Sequence, residues 1–129
     1  MEMVASLFNS DNYTAVKKMM DVAALRHAAI ASNIANVSTP GYKRVDLGRT
    51  FEQELIKTID GRDAAKIAAL DPLVETDSLT PSTRADGNNV QLDSELLKLT
   101  TNTMNFDALS QFASGSLKQL RTAITGRPA

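Results

Sequence analysis

A mainly α-helical fold is predicted for this chain: long N- and C-terminal amphipathic helices packed as a coiled-coil-like pair, joined by a polar, irregular middle. Three observations carry that prediction. Apolar residues recur three and four apart at both ends, the middle shifts to Asp, Thr, Ser, Pro, Gly and Asn, and the chain holds four Phe, two Tyr and no Trp. A core short of aromatic side chains must be built from aliphatic residues and Ala, which suits narrow helical seams. The 129 residues are a length for one domain, 1–129, with one core.

Residues 1–12 are short and polar, with Val4, Leu7 and Phe8 apolar enough to dock and Ser10, Asp11 and Asn12 suited to capping a helix. The helix that follows is predicted over 13–37. Val16, Met20, Ala23, His27, Ile30, Ile34 and Val37 alternate four and three apart along it, the rhythm of a coiled-coil seam. One narrow stripe buries little, so this helix is expected to need a partner before it is firmly folded.

Residues 38–43 are predicted to turn. Proline disfavours helical geometry at the residue before it, and Thr39-Pro40-Gly41-Tyr42 fits a type II turn, with proline second and glycine third. The variable middle, 44–89, starts with a short amphipathic helix carrying Phe51, Leu55, Ile56 and Ile59 and stopping at Gly61. Ala64 to Leu70 add another turn or two before Pro72. From Asp71 to Asn89 a flexible insertion is preferred over a small, irregular strand pair.

The last helix is predicted over 90–125. Asp93 is expected to cap it, Leu92 to staple onto Leu97, and Glu95 to complement the dipole in the first turn. Leu96, Leu99, Thr103, Phe106, Ser110, Ala113, Leu117, Leu120 and Ile124 keep the same period, and Gly126 with Pro128 ends the helix. Packing the two helices on each other buries both seams, with the middle projecting from their joined ends. A stripe left over can pair with another subunit, and repeating that contact without closure builds a helical filament.

The formal net charge of −1 and the absence of a basic stripe give no reason to expect nucleic acid or an anionic membrane as a partner. With no Cys and one His, neither a disulfide framework nor a thiolate metal site is expected. His27 reads as a packed or interface-edge residue on the first seam. Asp60, Asp63, Asp71, Glu75, Asp77 and Asp86 lack calcium-loop spacing and read as a solvated surface. No phosphate-binding loop or dinucleotide fingerprint occurs. The expectation is a protein without catalytic activity, cofactor, metal or small-molecule substrate. The N-terminus shows no apolar core of signal-peptide length, and no stretch approaches a bilayer span.

The run Asn33-Ile34-Ala35-Asn36 followed by Thr39-Pro40-Gly41-Tyr42 resembles the N-terminal signature of bacterial flagellar axial proteins, the rod, hook and hook-associated proteins. The chain's length, Asp46-Leu47, the Phe51–Leu55 segment and Gly87-Asn88-Asn89-Val90 make it most similar to the proximal rod protein family of the basal body. Ser38 and His27 depart from the residues common there, and 61–87 match nothing in the pattern. The resemblance implies a structural subunit that self-assembles through its terminal helices into a torque-transmitting shaft. It implies export through the flagellar type III apparatus with the N-terminus intact, and a place in the periplasmic rod. Its implied partners are itself, other rod proteins, the hook-basal body adaptor and the membrane-ring protein.

Assembly contacts are expected from Ile30, Ile34, Leu96, Phe106, Leu117 and Leu120 on the seams, from the Pro40-Gly41-Tyr42 turn, and from Asn89. Tyr42 offers an aromatic face and a hydroxyl at such a contact. Asn33 and Asn36 have two readings: they fray the helix end toward the turn, or, as the resemblance implies, their amides face a neighbouring subunit and fix its register. A soluble helical adaptor or export chaperone, using the same seams to hold one client helix, is the alternative from another class.

Overall fold

The computed structural model describes residues 11–127. The docking residues Val4, Leu7 and Phe8, the cap residue Ser10 and the stop residue Pro128 lie outside the described residues.

Helix α1 spans Asp11–Ala35, two residues ahead of the predicted helix at each end. Strand β1 (Val45–Leu47) leads through Gly48 into α2 (Arg49–Asp60), and α3 (Ala64–Ala69) precedes β2 (Val74–Thr76). Helix α4 runs from Leu92 to Thr125, 34 residues, or about 51 Å at 1.5 Å per residue. The predicted helix pair forms. Asn33 meets Glu95, and ten residues back along α1 the carbonyl of Ala23 accepts from the side chain of Asn102, so the two helices are antiparallel.

The turn has the predicted geometry: Gly41 takes φ 74°, and the Tyr42 amide donates to the Thr39 carbonyl at 3.3 Å. At the end of α4, Gly126 takes φ 64° and its amide donates to Thr122. Gly61 closes α2 with ordinary right-handed angles, and the left-handed residue there is Arg62, at φ 51°.

Three expectations are corrected. The middle does not project from the end of the helix pair. It folds back along α1, where Val22 packs with Leu47, Phe51 and Leu55, flanked by Leu25, Ile59 and Leu70. The Lys18 ammonium donates to the carbonyls of Ala68 and Leu70 at the end of α3. Helix α1 is therefore covered on two sides. Ala23 and Ile30 of the predicted seam are buried, and a second stripe, Ala15, Val22, Ala29 and Asn33, is buried as well. Two Ala and an Asn carry little hydrophobic signal, which is why periodicity shows only the first stripe. His27 is exposed at its edge.

Secondly, residues 71–89 are not a free insertion. β2 pairs with β1 antiparallel, Val45 opposite Thr76 and Leu47 opposite Val74, and Asn88, Asn89 and Val90 are buried. Thirdly, α4 begins one residue before Asp93, at Leu92, with Gln91 at the cap position and no side-chain cap bond. Leu92 and Leu97 are both exposed, so no staple forms.

Candidate functional site

The helix pair, the turn and the middle meet at one place, and polar side chains fill it. Arg44 stands just before β1, 4 % exposed. Its guanidinium reaches carboxylates from three segments: Asp46 on β1 at 3.0 Å, Glu95 in the first turn of α4 at 2.9 Å, and Asp77 just after β2. A planar five-donor fork suits a position where acids arrive from several directions. Burial by itself would lower the Arg44 pKa, but hydrogen bonds to Asp46, Glu95 and Asp77 outweigh it and hold the pKa above its ordinary value.

Glu95 is 1 % exposed and sits where a helix favours an anion. Besides Arg44 it accepts from the Asn33 amide at 3.0 Å, and Lys98 lies 3.5 Å away. Asn33, wholly buried, also pairs with the backbone of Val45 as a strand neighbour would: its amide donates to the Val45 carbonyl and its carbonyl accepts from the Val45 amide, both at 2.8 Å. The Tyr42 hydroxyl donates to the same oxygen at 3.2 Å. A side chain that replaces a missing strand in this way leaves no backbone group of Val45 stranded.

The Gly87–Val90 run closes the joint from below. Asn88 donates to the carbonyls of Asn36, Val37 and Thr39, where α1 ends and the turn begins, and its oxygen accepts from the Val90 amide at 2.7 Å. Asn89 accepts from the Arg44 amide at 2.7 Å and donates to the carbonyls of Asp77 and Thr80, both at 3.0 Å. Burial would raise the Asp77 pKa, but the Thr80 hydroxyl, Arg44 and the amides of Thr80 and Leu79 hold it well below the usual carboxylate range. Among the described residues every buried side-chain N and O has a hydrogen-bond partner, the condition under which a buried polar network specifies one arrangement.

The expected contact residues separate into two groups. Ile30, Asn33 and Asn89 are buried inside the chain, and Tyr42 and Ile34 are half-buried. This corrects the outward reading of Asn33, whose amide is fully used within the chain. Asn36 is half-buried and bonds its own helix end, donating to Ser32 and accepting from Thr39. Pro40 and Gly41 are exposed at the turn. Leu96, Phe106 and Leu117 are exposed along α4, and Leu120 is half-buried. Asp77, expected as a solvated acid, is instead a partner of Arg44. Arg44, Asn88 and Asn102 were not among the expected site residues. For Asn88 a signal existed in the Gly87-Asn88-Asn89-Val90 run, whereas nothing in the sequence marks Arg44 or Asn102, whose partners lie 51 and 79 residues away.

Residues 20–43, the second half of α1 through the turn, match the family model described as "Flagella basal body rod protein". The chain is 31 % identical over 113 residues to the flagellar basal body rod protein FlgB of Bacillus subtilis (strain 168), covering 79 % of this chain and 84 % of that one. It is 32 % identical over 124 residues to FlgB of Borrelia hermsii, covering 83 % and 90 %, and 29 % identical over 124 residues to FlgB of Escherichia coli (strain K12), covering 84 % and 88 %. The matched segment 20–43 carries Asn33, Tyr42 and the turn, and relatives of 31 % and 32 % identity cover about four fifths of the chain: the chain belongs to the FlgB family of flagellar basal body rod proteins.

Proposed function

We propose that this chain is a subunit of the proximal rod, which assembles with copies of itself and with other rod proteins through its terminal helices and takes its place in the shaft that transmits torque. The family is structural, and the chain is not an enzyme. One observation carries the proposal. In the 34 residues of α4 the only buried side chains are Glu95 and Asn102, both polar, while Leu96, Phe106, Leu117 and Ile124, which the helical period sets on one face, are exposed. A stripe of that length exceeds the scattered apolar residues of an ordinary monomer surface and marks an interaction face. Coiled-coil-like contacts from α4 to neighbouring helices would cover it.

The inner joint has a different part in this reading. It holds the turn, the sheet and both helices at one fixed disposition, so that each subunit offers the same surface to the next. A helical shaft needs that constancy, because a contact repeated without closure accumulates any error. Among the described residues no helix is long and apolar enough to cross a membrane. Export through the type III apparatus and a periplasmic position at the rod base, against the adaptor and the membrane ring, complete the proposal.

The test is a chromosomal deletion, with basal bodies isolated and viewed by electron microscopy and a restored, tagged chain followed by fractionation. Rings without a rod, and a restored chain that co-purifies with basal bodies, are the expected results. Intact flagella in the deletion strain, or a restored chain confined to the cytoplasm, would reject the rod and favour the adaptor.

A further inference from the structure

Two apolar surfaces lack a partner among the described residues, and they cannot meet within one molecule. One is a groove of about 530 Å³ bounded by Met19, Val22 and Ala23 of α1, Leu55 and Ile56 of α2, and Leu109 of α4. Ile56 is 62 % exposed on its wall, although it belongs to an amphipathic helix whose Phe51 and Leu55 are buried. The other is the distal part of α4, where Leu117, Leu120 and Ile124 share a face and no described residue after Asn102 is buried. Leu109 already forms part of the groove, and α4 continues unbroken to Thr125. Its distal residues are carried away from the groove at 1.5 Å per residue and have no hinge by which to return.

Charge chooses the occupant. After Asp107 the chain holds Lys118, Arg121 and Arg127 and no acid. Glu52 and Ile56 line the groove, and Asp60, four residues further along α2, shares their face one turn beyond it. Glu52 is paired with Arg26, which also lines the groove. Asp60 is in the last turn of α2, at the negative end of the helix dipole, and makes no ion pair among the described residues. An acid there is unfavourable until a cation covers it.

We infer that the distal half of α4 from a second copy of this chain docks in the α1–α2–α4 groove, its Leu117–Ile124 face covering Ile56 and its Lys118 and Arg121 reaching Asp60. The inference rests on the self-assembly proposed above and specifies its contact. Groove and occupant are different surfaces, so the contact is heterologous, and each docked copy presents its own empty groove to the next. A helix laid into a three-helix groove is an established recognition mode, read by anchors three and four residues apart.

The chain has no Cys, so introduced thiols report without background. A strain lacking the native chain would express two distinguishably tagged full-length copies, one with Ile56→Cys and one with Leu117→Cys or Leu120→Cys. Ile56 and Leu117 are exposed and Leu120 is half-buried, so the substitutions leave the core intact. Oxidation of isolated basal bodies is expected to give disulfide-linked heterodimers in excess of either homodimer. Asp60→Lys in the first copy should lower their yield about fivefold at low salt, and Lys118→Glu with Arg121→Glu in the second should restore it.

Homodimers through Leu117→Cys alone would overturn the inference in favour of a two-fold contact. So would an intrachain disulfide from Ile56→Cys to Leu7→Cys, which would place the chain's own N-terminus in the groove. Absence of the heterodimer while both copies co-fractionate with basal bodies rejects this contact and leaves the rod assignment standing. Absence of both copies from basal bodies rejects the assignment itself.

Discussion

Removing the Arg44 side chain is the sharpest test of the joint. Arg44→Met keeps most of the length and the apolar stem but deletes every donor, leaving Asp46, Asp77 and Glu95 without their shared cation. Of these acids Glu95 suffers most, because it is 1 % exposed and retains only the Asn33 amide and the partly solvated Lys98, 3.5 Å away. Breaking a buried ion pair from one side costs about 3–5 kcal/mol. A charge-assisted hydrogen bond contributes about 1.5–3 kcal/mol, and Glu95 loses one such bond outright. Against a total stability of about 5–15 kcal/mol, a loss of roughly 3 kcal/mol is a large share. For a chain of this length it lowers Tm by about 10–15 °C.

Thermal and urea denaturation followed by circular dichroism would measure the change, with Glu95→Leu and the double variant completing a cycle. The double variant is expected to recover part of the loss, since apolar groups can replace a buried ion pair nearly without cost, although Asn33 then loses one of its two acceptors. A Tm within about 3 °C of the parent for Arg44→Met would refute the reasoning, because no intact buried pair can be that dispensable.

The remaining predictions concern single positions. Asp77 has a folded-state pKa below its ordinary value of 3.8. The unfolded chain therefore binds the proton first as pH falls, so the stability Asp77 contributes is fully present above about pH 5 and is lost progressively below pH 4. Asp77→Asn should flatten the Tm profile between pH 5 and pH 2, and an unchanged slope would refute the assignment. Asn33→Ala strands both backbone groups of Val45 and is expected to cost about 2–4 kcal/mol by urea denaturation, while Asn36→Ala, which removes only local bonds, should cost under about 1 kcal/mol. Equal effects would contradict the separation of inner from local roles. A Cβ at Gly115 meets no atom of the described residues within 4 Å, so Gly115→Ala should raise helicity and stabilise the isolated chain by about 0.5–1 kcal/mol; a lower Tm would mean that something packs there.

Much of the architecture was legible in the residues themselves. The two helices, the type II turn and the stop at Gly126 each follow from local chemistry: a repeating apolar period, a proline that fixes φ, a glycine that tolerates positive φ. The short helix ending at Gly61 was legible for the same reason. Such signals reside within a few consecutive residues, so they survive without knowledge of the fold. The family signature was legible too, since Asn33 to Tyr42 is one continuous stretch.

Only the tertiary structure decided which way the middle lies and what the polar residues do. Arg44, Asn88, Asn89 and Glu95 are ordinary surface types in sequence and become buried, and Asp77 half-buried, because their partners arrive from elements far away along the chain. The second buried stripe of α1 was invisible because Ala15, Ala29 and Asn33 have too little apolar area to register as a pattern. Hydrophobic periodicity reports how much oil a face carries, whereas a joint made of hydrogen bonds is set by direction and distance. Those are properties of assembled elements, and they come into existence only when α1, β1 and α4 converge on Arg44.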